Sequence, residues 1–513
     1  MSARLSNPGV VAAGHDAACR AAAELLAAGG NACDAAIGAG FASAMCEPAL
    51  TSLGGGGFLL SRRRDGRARC YDFFVDTPGR GRSPSEREPH FLPVIVRFPG
   101  AEQVFHCGVG SAAVPGAIAG FLHVHRREGR MPLCDVVAPA IALARDGIEL
   151  NAEQAYFLGL LRPIMTLTRH GSAIFAPTGE LLREGARLVN RDLADFLAGL
   201  PESAAEFYSG ALAARIARDM SEGGGLVTTA DLAAFRVAER APLEVVYRGG
   251  TLLTNPPPAF GGALLARSLA LLGRDPPAAG GPESPEHLRS LVSVMAQVER
   301  ERAAGPVFSR GTTHVSVCDA QGNAASMSMS NGEGSGYVVP GTGIMLNNML
   351  GEDDLHPGGF HAAPPGERVA SMMSPSLLLD AQGGLRLVLG SGGSKRIRTA
   401  MLQVLSLVAD FDFPVAAAVR QPRIHWDGEC VQAEPGLPGA TLAALAAHRP
   451  VNRWSERNLY FGGVNAVAPG GDAAGDPRRG GASRIVAAAR PAPDRVRAAV
   501  PDPIRSRRPE GEA

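Results

Sequence analysis

Gly311-Thr312-Thr313-His314-Val315-Ser316-Val317-Cys318 runs into Asp319-Ala320-Gln321-Gly322-Asn323 and then into Ala324-Ala325-Ser326-Met327-Ser328-Met329-Ser330. The first segment is β-branched and alternating, a strand pattern, and the second supplies turn residues. The third alternates again, so 312–318 and 324–330 predict a hairpin with Thr312 at its leading end. A threonine hydroxyl is a weak nucleophile unless a base stands beside it. If the chain is cut before Thr312, the freed α-amine supplies that base, with an ordinary pKa of about 7.7–8.0. The plainer alternative is that Thr312 and Thr313 are ordinary strand threonines.

Composition sets the frame. A chain of 513 residues could hold roughly two to four ordinary domains, or one large α/β unit with long insertions. Its 45% hydrophobic and 19% charged residues describe a globular protein with ample core. Fifty basic residues balance fifty acidic ones, which argues against nucleic acid or a membrane surface as partner. The eight cysteines form no C-x-x-C pair, so neither a zinc site nor a disulfide framework is expected. Cys19, Cys33 and Cys46 lie among alanines and read as small buried hydrophobes. The apolar run from Val10 stops at His15-Asp16, short of a secretory h-region, and no run is long enough to span a membrane. Cytoplasmic residence is the expectation.

The first third reads as helical. Ala and Leu recur at helical spacing over 16–28, and Gly29-Gly30 is a helix stop signal. A second helix is expected over 31–45, with alanine and glycine permitting close packing. Gly54-Gly55-Gly56-Gly57 precedes Phe58-Leu59-Leu60. No Gly-Lys-Ser/Thr follows, so a tight turn into a buried strand is preferred to a phosphate cradle.

Downstream of the hairpin come Gly341-Thr342-Gly343-Ile344-Met345-Leu346-Asn347-Asn348, Ser371-Met372-Met373-Ser374-Pro375 and Gly390-Ser391-Gly392-Gly393-Ser394. Upstream lie Gly30-Asn31-Ala32-Cys33-Asp34-Ala35-Ala36, Glu47-Pro48 and Val114-Pro115-Gly116. Near the C-terminus are Phe461-Gly462-Gly463-Val464 and Gly475-Asp476-Pro477-Arg478-Arg479-Gly480. In this order and spacing the motifs resemble the γ-glutamyltranspeptidase family, part of the N-terminal nucleophile hydrolase superfamily, over almost the whole chain.

The resemblance implies an α+β fold, a four-layer αββα sandwich built from both products of self-cleavage. Those products are 1–311 and 312–513, about 32 and 21 kDa by proportion of the 53.1 kDa chain. They form one intertwined domain, with the tail after about 490 expected to be disordered. It implies that the Thr312 hydroxyl attacks the carbonyl of Gly311, where glycine tolerates strained backbone. It also implies that Gly392 and Gly393 supply the oxyanion N–H groups, and that Ser330 stands where the family has a second threonine touching the nucleophile's amine. Glu352, beside Asp353 and Asp354, is implied to bind the substrate α-amine, with Asn331 and Ser371 completing the pocket. The implied substrate is a small γ-glutamyl amide such as glutathione, with no metal or organic cofactor.

Two departures bear on specificity. The family's arginine for the substrate α-carboxylate is replaced by Val75, which cannot make an arginine's bidentate contact. Arg80 and Arg82 are nearby, and solvated loop positions are favoured for both. The paired serines become Ser371-Met372. A second reading is therefore the same machinery acting on another acyl group, for example a glutaryl amide. A third is an uncut, inactive relative that serves as a binding or structural protein.

Overall fold

The segment 8–487 is described by a computed structural model, except for 84, 85, 87, 89, 99, 100, 303–310, 353, 354, 357, 358 and 361. Asp353, Asp354 and the tail after about 490 therefore lie outside the described residues. Among the described residues no helix is long and apolar enough to cross a membrane.

Two antiparallel sheets organise the chain. The first has seven strands: β1 (Gly9–Ala13), β2 (Gly56–Arg62), β3 (Ala68–Phe73), β4 (Ala238–Arg240), β7 (Thr313–Cys318), β8 (Ala324–Ser330) and β13 (Ala482–Val486), in the spatial order β13-β1-β7-β8-β2-β3-β4. The second has six: β5 (Leu243–Tyr247), β6 (Gly250–Thr254), β9 (Ser376–Leu379), β10 (Leu385–Gly392), β11 (Gly463–Val467) and β12 (Ala473–Ala474), in the order β12-β11-β10-β9-β6-β5. Strand β7 packs face to face on β10 and β11, so the sheets share an interior. Both contain strands from before and after residue 311.

Helices cover the outer faces. On the first sheet lie α1 (Asp16–Ala27), α2 (Ala32–Cys46) and α3 (Ala117–Glu128). On the second lie α4 (Phe260–Leu272) and α6 (Lys395–Phe411), with α5 (Pro285–Glu301) packed on α4. Helix α1 stops where Gly29 takes φ +92°, the left-handed turn that only glycine adopts freely. Helix α2 starts in a capping box: Asn31 accepts from the Asp34 amide while the Asp34 carboxylate accepts from the Asn31 amide. Its alanines and glycines are buried nearly all round, and a Cβ at Gly38 would stand 2.1 Å from Leu25 Cδ1. Small residues are thus what lets α1 and α2 approach.

Cys19, Cys33 and Cys46 are buried. Burial pushes the Cys19 thiol up to about 12 and the other two well above the ordinary range, so all three behave as small apolar groups. Gly54-Gly55-Gly56-Gly57 enters β2 as expected, and Gly57 passes close to the Ser328 carbonyl, where a Cβ would stand at 2.2 Å.

Candidate functional site

The hairpin forms in the register its alternation predicts, Thr313 opposite Met329 and Cys318 opposite Ala324. Met327 and Met329 join the core beneath α2. Ser326 and Ser328 turn the other way, into the space between the sheets. There the His314 ring lies between the Ser328 hydroxyl (Nδ1, 2.8 Å) and the Ser316 hydroxyl (Nε2, 3.0 Å). Ser316 donates to Asn465 O and Ser326 to Leu389 O, both on the opposite sheet. Burial drops His314 to about 3, so it is a neutral structural link between sheets. Its ring occupies the place of a Cβ at Gly390, which explains the glycine there.

Thr312 stands at the edge of this interior, 5% exposed. Together with Ser330, Glu352, Ser371 and Ser394 it lines a cavity of about 320 Å³ that opens to solvent. Phe74, Met349, Leu355, Met372, Met373 and Ile397 form the apolar part of the wall. The Ser330 hydroxyl donates to Gly311 O at 2.5 Å and accepts from the Gly332 amide. In the uncut chain Ser330 therefore touches the carbonyl of the Gly311–Thr312 bond, whereas the resemblance implied a contact with the amine of residue 312. Gly311 has no positive φ; a Cβ there would stand 2.4 Å from Gly332 O. Close packing, not backbone strain, is what requires glycine at 311.

Gly392 ends β10 opposite Gly463. A Cβ on it would lie 2.2 Å from Thr312 O, so the absence of a side chain brings this strand end against the threonine. Gly393 turns away at φ +120°, followed by Ser394 at φ +53° and helix α6. A seryl residue in that region is uncommon. Ser394 lines the cavity, and its hydroxyl is buried and makes no hydrogen bond among the described residues.

The acyl side of the cavity is assembled from remote segments. Glu352 caps a short 3-10 turn and is buried, and Gly332, at φ +62°, leaves room for its carboxyl. The Ser371 hydroxyl accepts from the Met373 amide. Asn331 is not among the lining residues; its Nδ2 donates to Leu346 O at 3.4 Å. Val75 is fully buried. Arg80 is 3.9 Å from Asp231, its side chain 42% exposed, and neither Arg80 nor Arg82 lines the cavity. Among the described residues no group of three or more His, Cys, Asp or Glu is placed to hold a metal ion.

Sequence reasoning missed three contributors. Ser394 sits inside a quoted motif, but only the unusual φ reveals its role in the wall. Glu47 and Arg479 also stood in quoted motifs, yet nothing in their spacing brings them to Thr312. Thr313 donates to both oxygens of Glu47 (2.9 and 3.0 Å), and Arg479 Nη1 donates to Thr312 O at 3.5 Å.

Comparison with known proteins agrees with this geometry. The family described as Gamma-glutamyltranspeptidase matches residues 18–308 and 303–486. A glutathione hydrolase proenzyme of Escherichia coli (strain K12) is 30% identical, over 86% of this chain and 85% of the relative. An acylase ACY 1 proenzyme of Pseudomonas sp. (strain SE83) is 31% identical, over 90% and 89%. The crystal structure of a cephalosporin acylase from Bacillus halodurans has a TM-score of 0.81 at 24% identity, covering 93% of this chain and 96% of that one, a likeness of fold. With its helices and sheets, buried threonine and bordering glycines, the chain belongs to the gamma-glutamyltranspeptidase family and is an enzyme of the N-terminal nucleophile hydrolase kind.

Proposed function

We propose that the chain cuts itself between Gly311 and Thr312 and then hydrolyses or transfers γ-glutamyl groups through an acyl-enzyme on Thr312. The contact of Ser330 with Gly311 O, beside a Thr312 that lines a cavity, carries this reading. Thr312 Oγ attacks the Gly311 carbonyl carbon, and the oxyanion forms where Ser330 already donates. Collapse breaks the C–N bond as the Thr312 hydroxyl proton passes to the departing nitrogen, leaving Gly311 as an ester on Thr312 Oγ and freeing the amine. Water then hydrolyses the ester and Gly311 leaves as a carboxylate. In turnover the freed amine takes the hydroxyl proton as Oγ attacks the substrate amide, and returns it to the departing amine.

Gly392 and Gly393 are read as the oxyanion donors of that second reaction. Glu352 is read as the partner of the substrate amine, with Ser330 and Ser371 around it; the side chain of Asn331 turns to Leu346 O instead. The products 1–311 and 312–513 are read as two subunits of one intertwined unit, since β7 lies between β1 and β8 and each sheet mixes strands from both. The sequence helix, sheet, sheet, helix is read as the four-layer αββα arrangement.

A second reading keeps the chemistry and changes the acyl group. Buried Val75 favours it, as does the acylase name of a 31% identical relative. Comparing a γ-glutamyl anilide with its glutaryl analogue separates the two, because only the former has an α-amine for Glu352.

The test of processing is a denaturing gel with N-terminal sequencing. Fragments near 32 and 21 kDa are expected, as above, the smaller beginning Thr312-Thr313-His314. T312A should stay at 53.1 kDa and lack activity. An intact wild-type chain after long incubation overturns the reading.

A further inference from the structure

Two buried groups outside the acyl cavity close on the nucleophile from either side. Glu47 stands at the end of α2, its backbone amide donating to Ser43 O and its own carbonyl accepting from the Leu50 and Thr51 amides. With its backbone so fixed, the carboxyl reaches β7 and accepts from the Thr313 hydroxyl on both oxygens. The approach is cleared by Gly14, where a Cβ would lie 2.3 Å from Glu47 Oε1 and 2.5 Å from Thr313 Oγ1.

Arg479 comes from the opposite side. Its guanidinium donates to Thr312 O and to Leu459 O, and lies 5.8 Å from the centre of the Phe157 ring. It rests on a bed of glycines: a Cβ at Gly463 would stand 2.4 Å from its Cδ, and Cβ atoms at Gly392 and Gly393 would stand 3.1 and 3.2 Å from Nη1 and Nη2. Four glycines thus make room for these two side chains, Glu47 at Thr313 and Arg479 at Thr312, which carries the proposed chemistry. A buried carboxyl and a buried guanidinium are costly to keep unless they are held by such contacts.

We infer that Glu47 and Arg479 are positioning residues for the nucleophile: Glu47 holds β7 through the Thr313 hydroxyl, Arg479 holds the Thr312 carbonyl against Gly392, and together they fix where the Thr312 hydroxyl and freed amine stand. This rests on the proposed N-terminal threonine. Neither residue touches the acyl cavity, so their removal should change turnover and leave substrate affinity alone. A nucleophile displaced by about 1 Å can lose on the order of 100-fold in rate.

The experiment uses the full chain and γ-glutamyl-p-nitroanilide. Wild-type cleavage before Thr312 is established first; if it fails, the proposed function fails and the pair is not at issue. E47L, T313V and R479K are then assayed for fragment formation, kcat, KM and melting temperature. The inference predicts that each lowers kcat, or the rate of self-cleavage, by about 10-fold or more with KM within about twofold. T313S, which keeps the hydroxyl, should restore the rate. E47L combined with T313V should lose no more than either alone, because both cut the same link. Wild-type kcat and processing in folded E47L and R479K overturn the inference. So does a T313S no better than T313V, or a loss confined to KM.

Discussion

The two sides of the cavity are built differently. On the nucleophile side, Gly311, Gly392 and Gly390 bring backbone against backbone or ring, and the contacts are fixed by the lack of a Cβ. On the acyl side, Phe74, Glu352, Ser371 and Ile397 come from four separate stretches and meet only as side chains. Backbone packing of the first kind allows little substitution, because a Cβ at 2.2 Å from an oxygen cannot be accommodated without moving a strand. The second kind tolerates exchange, since a side chain on the wall can be altered without disturbing either sheet. On the proposed function, chemistry and specificity fall on different sides of the cavity, and variants on either side should reveal it.

The largest effect is expected on the nucleophile side. S330A removes the donor to Gly311 O and should slow self-cleavage by about 100-fold, the loss typical of a missing oxyanion donor. Time-resolved gels measure it. A variant that processes normally but turns over poorly would move Ser330's role to the amine, as the resemblance first implied. A smaller effect is expected on the acyl side. E352Q should be cut at Thr312 like the wild type yet lose roughly tenfold in kcat/KM on a γ-glutamyl anilide, about the value of one charged hydrogen bond. The glutaryl analogue should be unaffected. If both substrates fall equally, Glu352 supports the wall rather than reading the amine, and the contrast between the two sides weakens.

This division also explains what the sequence made legible. The hairpin, its register, and helices α1 and α2 could be read because alternation, turn residues, a capping box and Gly29 are local signals that tertiary packing did not override. Gly311 and Gly392 stand in short glycine motifs for a related reason, since close backbone approach leaves no room for a Cβ; Thr312 is singled out beside them by the resemblance. Asn331 was placed in the pocket by its neighbourhood in sequence, but a turn at Gly332 and Gly334, both at positive φ, sends its side chain towards Leu346. Ser394, Glu47 and Arg479 depended on which strands are neighbours, information that no single window contains. Glu47 is separated from Thr313 by 266 positions.

A last effect concerns stability, and it tests the burial of Glu47 without reference to catalysis. Burial raises this carboxyl from about 4.5 to about 7, against the Thr313 hydrogen bond and the charge of Arg479, which favour the ionised form. The neighbouring Cys46 thiol is itself pushed far up by burial and stays neutral throughout. Between those two values the unfolded chain has released the Glu47 proton while the folded chain still holds it. Folding then binds a proton, so the contribution is fully present below about pH 4.5 and is lost as pH rises through 7. Other groups titrate in this range; His314, held at about 3 by burial, contributes the opposite slope up to its unfolded value. Because they are common to both proteins, they cancel when the wild type is compared with E47Q. The stability of the wild type relative to E47Q should therefore fall by about 3 kcal/mol from pH 4.5 to pH 7, measured by urea unfolding at several pH values. A difference that stays constant with pH would mean that Glu47 is ionised in the fold with an ordinary pKa, and that Arg479 and Thr313 compensate its burial fully.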